Sequence, residues 1–249
     1  MLSSREKERV EGMYVPMRVL ELENQPIKGL FDLEHLKRIN QYLFQDLPEI
    51  GSEYAKEYHP GEFRKEVPSH LIWKKPRRMA GIKEISNIVY SNMDKQIIEE
   101  TKNYLKKIDI NKMKTMRKST FVKKMSEIYT KLDYLHPFPD GNSRTIREFT
   151  RSLALKAGYK MNWQKTNLNQ EKRNELYIAR DIAVNQIAHE KMQIPEGKYD
   201  IEMYMKPFKD CKKLEEILAE NIEKIKVRKQ KIVMKFPDKD KSNNRGMSR

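Results

Sequence analysis

The sequence predicts a mainly helical, all-α domain that carries one short β-hairpin. Apolar residues recur three or four positions apart over long segments, which is the pattern of amphipathic helices packed on a core. Residues 59–92 break the pattern with three prolines and two glycines, which exclude a long helix there. The predicted helices cover residues 32–45, 94–108, 119–135, 142–157 and 168–190, and a further helix is predicted over 211–227.

The helix over residues 119–135 has the clearest apolar stripe, and the helix over 142–157 has a defined end. The stripe consists of Phe121, Met125, Ile128, Tyr129, Leu132 and Leu135. The later helix stops at Gly158, a residue type that is common just beyond helix C-termini. We therefore assign both helices to the core and expect a loop between them.

The β-hairpin is predicted from two short apolar segments within the region rich in proline and glycine. Residues 71–73 and 88–90 read as strands, and the basic residues 74–78 read as the turn that joins them. A hairpin that stands apart from the helices in this way is a natural lid or docking edge.

Residues 1–200 are predicted to form one domain, which contains the hairpin at about residues 67–92 and a loop at 136–147. Residues 201–249 are predicted to form a helical extension and a basic flexible tail. The chain has a net charge of +15, and its last 26 positions hold ten basic and two acidic residues. Charge alone favours a nucleic-acid binder. That prediction is weak, because no aromatic ladder or recognition motif accompanies the charge.

Composition excludes several other classes of protein. No two of the 9 glycines have a single residue between them, which excludes a glycine-rich dinucleotide loop, and no P-loop pattern occurs. Cys211 is the only cysteine, so an internal disulfide and a cysteine-cluster zinc site are excluded. Neither a signal peptide nor an apolar run of bilayer length is apparent, and we expect a cytoplasmic protein with no membrane partner.

The loop at residues 136–147 and the helix after it have the pattern of an anion site. An Asp-Gly-Asn turn at 140–142 permits the positive φ angles that point successive amides at one place. A helix N-terminus adds unpaired amides and a partial positive charge. Arg144 and Arg147 are three positions apart, so both can bind phosphate oxygens from one side of the first helical turn.

Two more side chains of this loop suit the transfer of part of a nucleotide. Asp140 is the kind of ligand that holds Mg²⁺ beside a polyphosphate. His136 is suited to take a hydroxyl proton, since the ordinary pKa of histidine is about 6.5. Taken singly, these features also fit a core histidine, a simple turn and solvent-facing arginines. Their joint occurrence within twelve residues favours a nucleotide-dependent transferase.

The same residues resemble the signature of the Fic family (filamentation induced by cAMP), His-Pro-Phe-x-Asp/Glu-Gly-Asn-Gly-Arg-x-x-Arg. The matching residues are His136, Pro137, Phe138, Asp140, Gly141, Asn142, Arg144 and Arg147. Residues 31–46 resemble an early helix of Fic domains, and residues 158–163 resemble the stretch after the motif helix, so the likeness covers about residues 15–195. The resemblance implies the helical Fic fold with the hairpin as its flap.

The resemblance also implies an activity and a role for each motif residue. Most members transfer AMP from ATP to a Tyr, Thr or Ser hydroxyl of a target protein and release pyrophosphate. His136 is then the general base, and Asp140 holds Mg²⁺ on the α- and β-phosphates. Arg144 contacts the β-phosphate, and Arg147 reaches toward the γ-phosphate. The amides of the anion nest are those of Gly141, Asn142 and Ser143.

Partners and regulation are implied in the same way. The flap would hold a segment of the target protein by β-strand addition. Many members are held off by a helix with Ser/Thr-x-x-x-Glu-Gly/Asn, whose Glu pairs with the second motif arginine. The candidates here, Glu11-Gly12, Glu196-Gly197 and Glu220-Asn221, have Lys7, Met192 and Glu216 at the first position. With Glu220 only a near miss, we expect a separate small antitoxin or an unrestrained effector, and hence a bacterial toxin or an effector secreted into a host cell.

One motif position departs from the family, and alternative functions stay open. The residue after Asn142 is usually Gly but is Ser143 here. A serine with positive φ would cost about 1 kcal/mol or more, whereas a helical serine would be harmless, and we favour the helical case. The related Doc toxins, which phosphorylate their targets, lack the glycine at 141 and the second arginine. The alternatives are transfer of another nucleotide or phosphate group, and a catalytically silent module that binds nucleic acid or protein.

Overall fold

The computed structural model describes residues 4–47 and 59–226. The predicted helical fold with a small hairpin is confirmed. In chain order the helices are α1 (Ser4–Asn24), α2 (Leu33–Phe44), α3 (Lys95–Lys106), α4 (Ile110–Thr115), α5 (Lys118–Leu135), α6 (Asn142–Lys156), α7 (Gln170–Lys191), α8 (Pro195–Met205) and α9 (Leu214–Asn221). The strands are β1 (Lys74–Arg77), β2 (Ser86–Val89), β3 (Tyr159–Met161) and β4 (Ile222–Lys224), and a 3₁₀ turn covers Trp163–Asn167.

Helix α5 lies at the centre of the core and packs against α3, α6, α7 and α9. Its predicted apolar stripe is wholly buried, and Phe121, Met125 and Leu132 are each 0% exposed. Burial of an apolar side chain of this size stabilises the fold by about 1.5–3 kcal/mol. The central helix therefore provides a rigid support for the loop that follows it.

Local capping explains where several helices begin. Asp94 and Asn169 precede α3 and α7, and their side chains accept hydrogen bonds from the backbone N–H groups of Ile97 and Lys172, both at 2.8 Å. Such caps satisfy amides that would otherwise lack a partner. Just beyond α6, Gly158 has a φ of 79°, in agreement with the predicted helix end.

The hairpin is present, but the predicted position of its first strand is wrong. The basic segment expected as the turn is itself β1, which pairs antiparallel with β2 and places Lys74 opposite Val89. Leu71 and Ile72 of the expected strand are 49% and 37% exposed. Strand β2 is attached to α7, because Asn185 accepts a hydrogen bond from the Val89 N–H at 2.9 Å and donates one to the Asn87 carbonyl at 2.9 Å.

The helix predicted over residues 211–227 is also shorter than expected. Helix α9 ends at Asn221, and the chain continues as β4, which pairs antiparallel with β3. Leu214, Ile217, Leu218 and Ile222 join the main core. Residue 200, the boundary expected from sequence, lies inside α8. The described part of the extension packs with the domain before it, since α9 contacts α5 and α7. The predicted flexible tail lies mostly at residues 227–249, outside the described residues.

Helix α1 was not predicted, and its composition shows why. Val15 is buried, but Met13 and Met17 are more than half exposed, so apolar side chains occur around the helix instead of forming one stripe. Pro16 lies inside the helix, where proline is unfavourable. Tertiary contacts compensate, because Arg18 pairs with Asp46 at 2.7 Å beside α2. Among the described helices, none has the combined length and apolar character of a membrane span.

Candidate active site

The loop between α5 and α6 is held in one shape by its own side chains. Helix α5 ends at Leu135, and its C-cap residue His136 has a φ of 44°, which turns the chain sharply. The Asn142 side chain then accepts from the Phe138 N–H at 2.9 Å and donates to the Phe138 carbonyl at 2.7 Å. Phe138 is 0% exposed and anchors the loop in the core. The loop geometry is therefore set before any ligand binds.

Two positions decide the geometry of the predicted anion nest. Gly141 precedes α6 with a φ of 75°, and a Cβ there would lie 2.3 Å from the Phe44 ring. Only glycine fits this position. Ser143 lies in the first turn of α6, so it needs no positive φ, and the helical alternative for this departure from the motif is confirmed.

His136 is buried among aromatic rings. Its ring centroid lies 3.9 Å from that of Tyr90 and 5.5 Å from that of Trp73. Burial lowers the pKa of His136 to about 4, although the nearby Asp133 acts in the opposite direction. The imidazole is therefore neutral near pH 7, which is the state that can accept a proton.

A buried ion pair lies directly behind this histidine. Asp133 and Arg180 have side chains only 2% exposed, and the Arg180 Nε and Nη2 groups donate to the two Asp133 carboxylate oxygens, each at 3.0 Å. The third Arg180 nitrogen, Nη1, donates to Ser143 Oγ at 3.1 Å. Sequence reasoning missed both residues, and the available signal was a charged residue inside the apolar segments 119–135 and 168–190.

Arg64 supports the same loop from outside. Its guanidinium donates to the carbonyls of His136, Leu135 and Ser91, and stacks at 3.5 Å from the centroid of the Trp73 ring. Burial lowers the pKa of Arg64 to about 9. The local sequence gives no signal for this role, because its partners are backbone oxygens contributed by distant segments.

The predicted site residues meet at one cavity of about 260 Å³, here called the motif cavity. The motif contributes His136, Asp140, Gly141, Asn142, Ser143 and Arg144, and the hairpin contributes Lys75, Arg77, Ile88 and Tyr90. Arg77 is paired with Asp181 at 3.0 Å. The structure thus brings six of the seven predicted site residues to the wall of one cavity beneath the hairpin.

Arg147, the seventh predicted residue, lies instead at a neighbouring cavity of about 1070 Å³, here called the α1 cavity. Its lining includes Glu11 and Val15 of α1, Arg144, Arg147 and Trp163. Arg144 borders both cavities. The cluster of two arginines therefore spans the junction between the motif cavity and α1.

A carboxylate of α1 pairs with the first of these arginines, Arg144. Glu11 Oε2 lies 2.8 Å from Arg144 Nη1. Among the described residues, Glu11 Oε1 and Arg147 Nε are buried and lack a hydrogen-bond partner. Glu220, the nearest match to an inhibitory motif in the sequence, pairs instead with Lys212 at 3.0 Å. The acidic side chain at the motif arginines is therefore Glu11, which precedes Gly12.

Asp140 is the carboxylate available to a metal ion in the motif cavity. Its side chain is 41% exposed, and its Oδ1 accepts from the Gly141 N–H at 2.6 Å and lies 4.0 Å from Arg144 Nη2. The described residues contain no group of three or more His, Cys, Asp or Glu that could enclose a metal. One carboxylate at the edge of an anion nest fits Mg²⁺, which is commonly held by one or two carboxylates together with substrate phosphates.

The chain is similar to proteins of known family. Protein adenylyltransferase VbhT of Bartonella schoenbuchensis is 30% identical over 160 residues, which cover 64% of this chain and 28% of VbhT. The probable protein adenylyltransferase Fic of Escherichia coli is 37% identical over 49 residues, 20% of this chain and 24% of that protein. The chain thus spans about a quarter of the length of these curated relatives.

Solved structures share the fold. The BepC protein of Bartonella tribocorum with bound AMPPNP has a TM-score of 0.57 at 14% identity, over 91% of this chain and 90% of that one. A Fic domain from Bartonella quintana with bound ADP has a TM-score of 0.58 at 18% identity, over 91% and 89%. The model of the Fic/DOC family matches residues 30–154, which is half of the chain. The chain belongs to the Fic/DOC family.

Proposed function

We propose that this chain transfers AMP from ATP to a Tyr, Thr or Ser hydroxyl of a target protein and releases pyrophosphate. The observation that supports this most directly is a neutral, buried His136 on the same cavity wall as Asp140 and the turn at residues 141–144. The names of both curated relatives, protein adenylyltransferases, support the same activity. A second function, transfer of another nucleotide or a phosphate group, would use the same cavity.

The polyphosphate would bind at the start of α6. This helix is 15 residues long, and its first amides follow the positive φ of Gly141. Oriented amides and a helix N-terminus favour an anion without a net charge of their own. Arg144 adds a guanidinium at the same wall, and Arg147 lies one turn further along the helix. In this proposal, six of the seven sequence-predicted site residues act at the motif cavity, and Arg147 acts from the neighbouring α1 cavity.

His136 would act as the general base of the transfer. The target hydroxyl oxygen attacks the α-phosphorus of ATP, and the new P–O bond forms as the bond between the α-phosphorus and the bridging oxygen breaks. The hydroxyl proton passes to the imidazole, and the electron pair of the broken bond leaves on pyrophosphate. A neutral imidazole is required at the start, and burial keeps His136 neutral.

Asp140 would hold Mg²⁺ jointly with the phosphates, and the metal, when bound, would neutralise charge on the leaving pyrophosphate. Its half-exposed position beside the Gly141 amide leaves the carboxylate near the expected phosphate position. Arg144 contributes positive charge at the same wall whether or not a metal is bound.

The hairpin would hold the target segment. Among the described residues, β1 pairs with β2 alone, so the other edge of β1 can accept a strand of the target by main-chain hydrogen bonds. Lys75 and Arg77 of β1 line the motif cavity, which places this edge beside His136. A hydroxyl on a docked strand would therefore approach the proposed base.

Helix α1 would restrain the activity. The Glu11 carboxylate holds Arg144 at 2.8 Å, and an ion-paired arginine is less available to phosphate. This contact favours restraint within the chain over a separate antitoxin. A toxin or effector role and weak binding of nucleic acid by the tail remain predictions from the sequence.

Labelled ATP distinguishes the proposed activity from its alternative. The purified chain is incubated with lysate, Mg²⁺ and ATP carrying the label at either the α- or the γ-phosphate, beside the His136→Ala variant. AMP transfer predicts that the protein labelling which requires His136 comes from the α-position alone.

Two outcomes would contradict the proposal. Labelling from the γ-phosphate that is lost in His136→Ala would indicate phosphate transfer. A Glu11→Gln variant that binds ATP but labels no protein in bacterial or eukaryotic lysates would argue for a catalytically silent module. The Glu11→Gln background matters, because the wild-type chain is proposed to be restrained.

A further inference from the structure

The buried pair behind His136 has no evident purpose in stability alone. Asp133 and Arg180 are fully enclosed, with side chains 2% exposed. Removing two charges from water is unfavourable, and apolar side chains of similar volume are often as stabilising as a buried ion pair. A chain that retains such a pair beside its proposed base invites a functional explanation.

The Asp133 carboxylate faces one nitrogen of the proposed base. Asp133 Oδ1 lies 3.8 Å from His136 Nδ1, and Nδ1 is buried without a hydrogen-bond partner among the described residues. The carboxylate attracts a proton on Nδ1, which leaves the lone pair on Nε2 at the other side of the ring. Contacts of this kind are often long without substrate and shorten when the reaction begins.

Arg180 keeps that carboxylate ionised and in place. Burial opposes the ionisation of Asp133, but the charge of Arg180 and the contact with His136 outweigh it and lower the pKa of Asp133 to about 2. Two parallel hydrogen bonds also fix the plane of the carboxylate. Asp133 therefore presents a permanent negative charge in a fixed orientation.

The third bond of Arg180 reaches the residue that departs from the family motif. Arg180 Nη1 donates to Ser143 Oγ at 3.1 Å, and a glycine at this position would have no such acceptor. Arg180 thus ties α5, α7 and the first turn of α6 together. Each of its three nitrogens donates one hydrogen bond within the protein, two to Asp133 and one to Ser143, although Arg180 also lines the motif cavity.

We infer that Asp133 and Arg180 are positioning residues that hold His136 with its proton on Nδ1, and that Ser143 couples this assembly to the anion nest. The inference rests on the proposed function, since it assigns to His136 the role of base. Arg180 then fixes the position of His136 relative to the anion nest.

The test uses a joint replacement, because removing one partner alone would leave a buried charge unpaired. Asp133→Leu combined with Arg180→Met keeps the volume and removes both charges. We expect kcat for AMP transfer to fall about 100-fold with the KM for ATP changed less than about threefold. Ser143→Ala should lower kcat about threefold, and Ser143→Gly should match it.

Nitrogen-15 NMR of the histidine rings provides a readout that does not require activity. His136→Ala assigns the signal among the 5 histidines. The inference predicts a proton on Nδ1 in the wild-type chain and a shift toward Nε2 in the double variant. A wild-type proton on Nε2, or a folded double variant with unchanged kcat, would overturn it. If the Glu11→Gln chain transfers no AMP at all, the proposed function fails, and the NMR result still decides the position of the proton.

Discussion

The two halves of the motif loop differ in how complete they are. On the His136 side, the ring is enclosed by Tyr90 and Trp73, and Arg64 bonds to the His136 carbonyl. On the arginine side, Glu11 of α1 holds Arg144, and Arg147 Nε lacks a hydrogen-bond partner among the described residues. The His136 half of the loop is organised for chemistry before substrate arrives. In the arginine half, here called the phosphate half, a carboxylate of α1 already pairs with Arg144. Activity should therefore be limited where phosphate binds.

The largest expected effect concerns the His136 half of the motif loop. His136→Ala should lower AMP transfer about 1,000-fold, because general-base catalysis contributes on that order. ATP affinity should stay within about twofold, since His136 is not part of the nest. Kinetics of protein labelling and ATP binding by calorimetry measure the two quantities. A variant that labels targets at the wild-type rate would remove His136 from the role of base.

Asp140 lies between the His136 half and the phosphate half of the loop, and Asp140→Ala tests its role as a metal ligand. We expect AMP transfer to fall roughly 100-fold, because the loss of a metal ligand removes several kcal/mol of charge stabilisation. The dependence of the rate on Mg²⁺ concentration should shift to higher concentrations. An unchanged Mg²⁺ titration would show that Asp140 does not hold the metal.

Arg64→Gln should destabilise the His136 half of the loop, which Arg64 supports from outside the cavity. The loss of bonds to backbone carbonyls should lower the free energy of unfolding by about 1–3 kcal/mol. We also expect kcat to fall about fivefold, because the His136 carbonyl loses its support. The matched control is Arg78→Gln, which changes an exposed arginine just after β1. Equal losses in both variants would contradict the role of Arg64.

We expect kcat to change very little with pH in the range where histidines usually titrate. Burial lowers the pKa of His136 to about 4, so the base stays neutral as the pH falls from 7 to 5.5. With an ordinary pKa of about 6.5, kcat would fall about tenfold over that range. Asp133 raises the pKa of His136, and Lys75 and Arg180 lower it. A tenfold loss of kcat by pH 5.5 would indicate an exposed base.

Periodicity and capping made most of the fold predictable from sequence. The stripe of α5 and the glycine after α6 are local signals, and the structure confirms them. Helix α1 was not predictable, because its apolar residues lie around the helix and Pro16 interrupts it. The hairpin is attached to α7 through Asn185, which is 96 residues from Val89 in the chain. No local pattern reports such a contact.

The candidate site was likewise predictable from sequence only in part. The order of residues in the loop indicated the base, the carboxylate and the arginines, because they lie within one continuous segment. The residues that support them were missed, since Arg180 is 47 residues from Asp133 and Arg64 is 72 residues from His136. Glu11-Gly12 has Lys7 in place of the Ser or Thr of the inhibitory pattern, and only the fold places the Glu11 carboxylate on Arg144.

In the phosphate half of the site, Glu11 pairs with Arg144 where a phosphate would bind. The most direct test is the affinity of ATP for the Glu11→Gln chain, measured by calorimetry and compared with wild type and with Glu23→Gln. Glu23 lies on the same helix and lines the same cavity, but no ion pair joins it to Arg144 within the described residues. Loss of a partly buried ion pair should raise ATP affinity about tenfold in Glu11→Gln, with a similar rise in AMP transfer, and leave Glu23→Gln unchanged. Equal affinity in all three proteins would contradict the account.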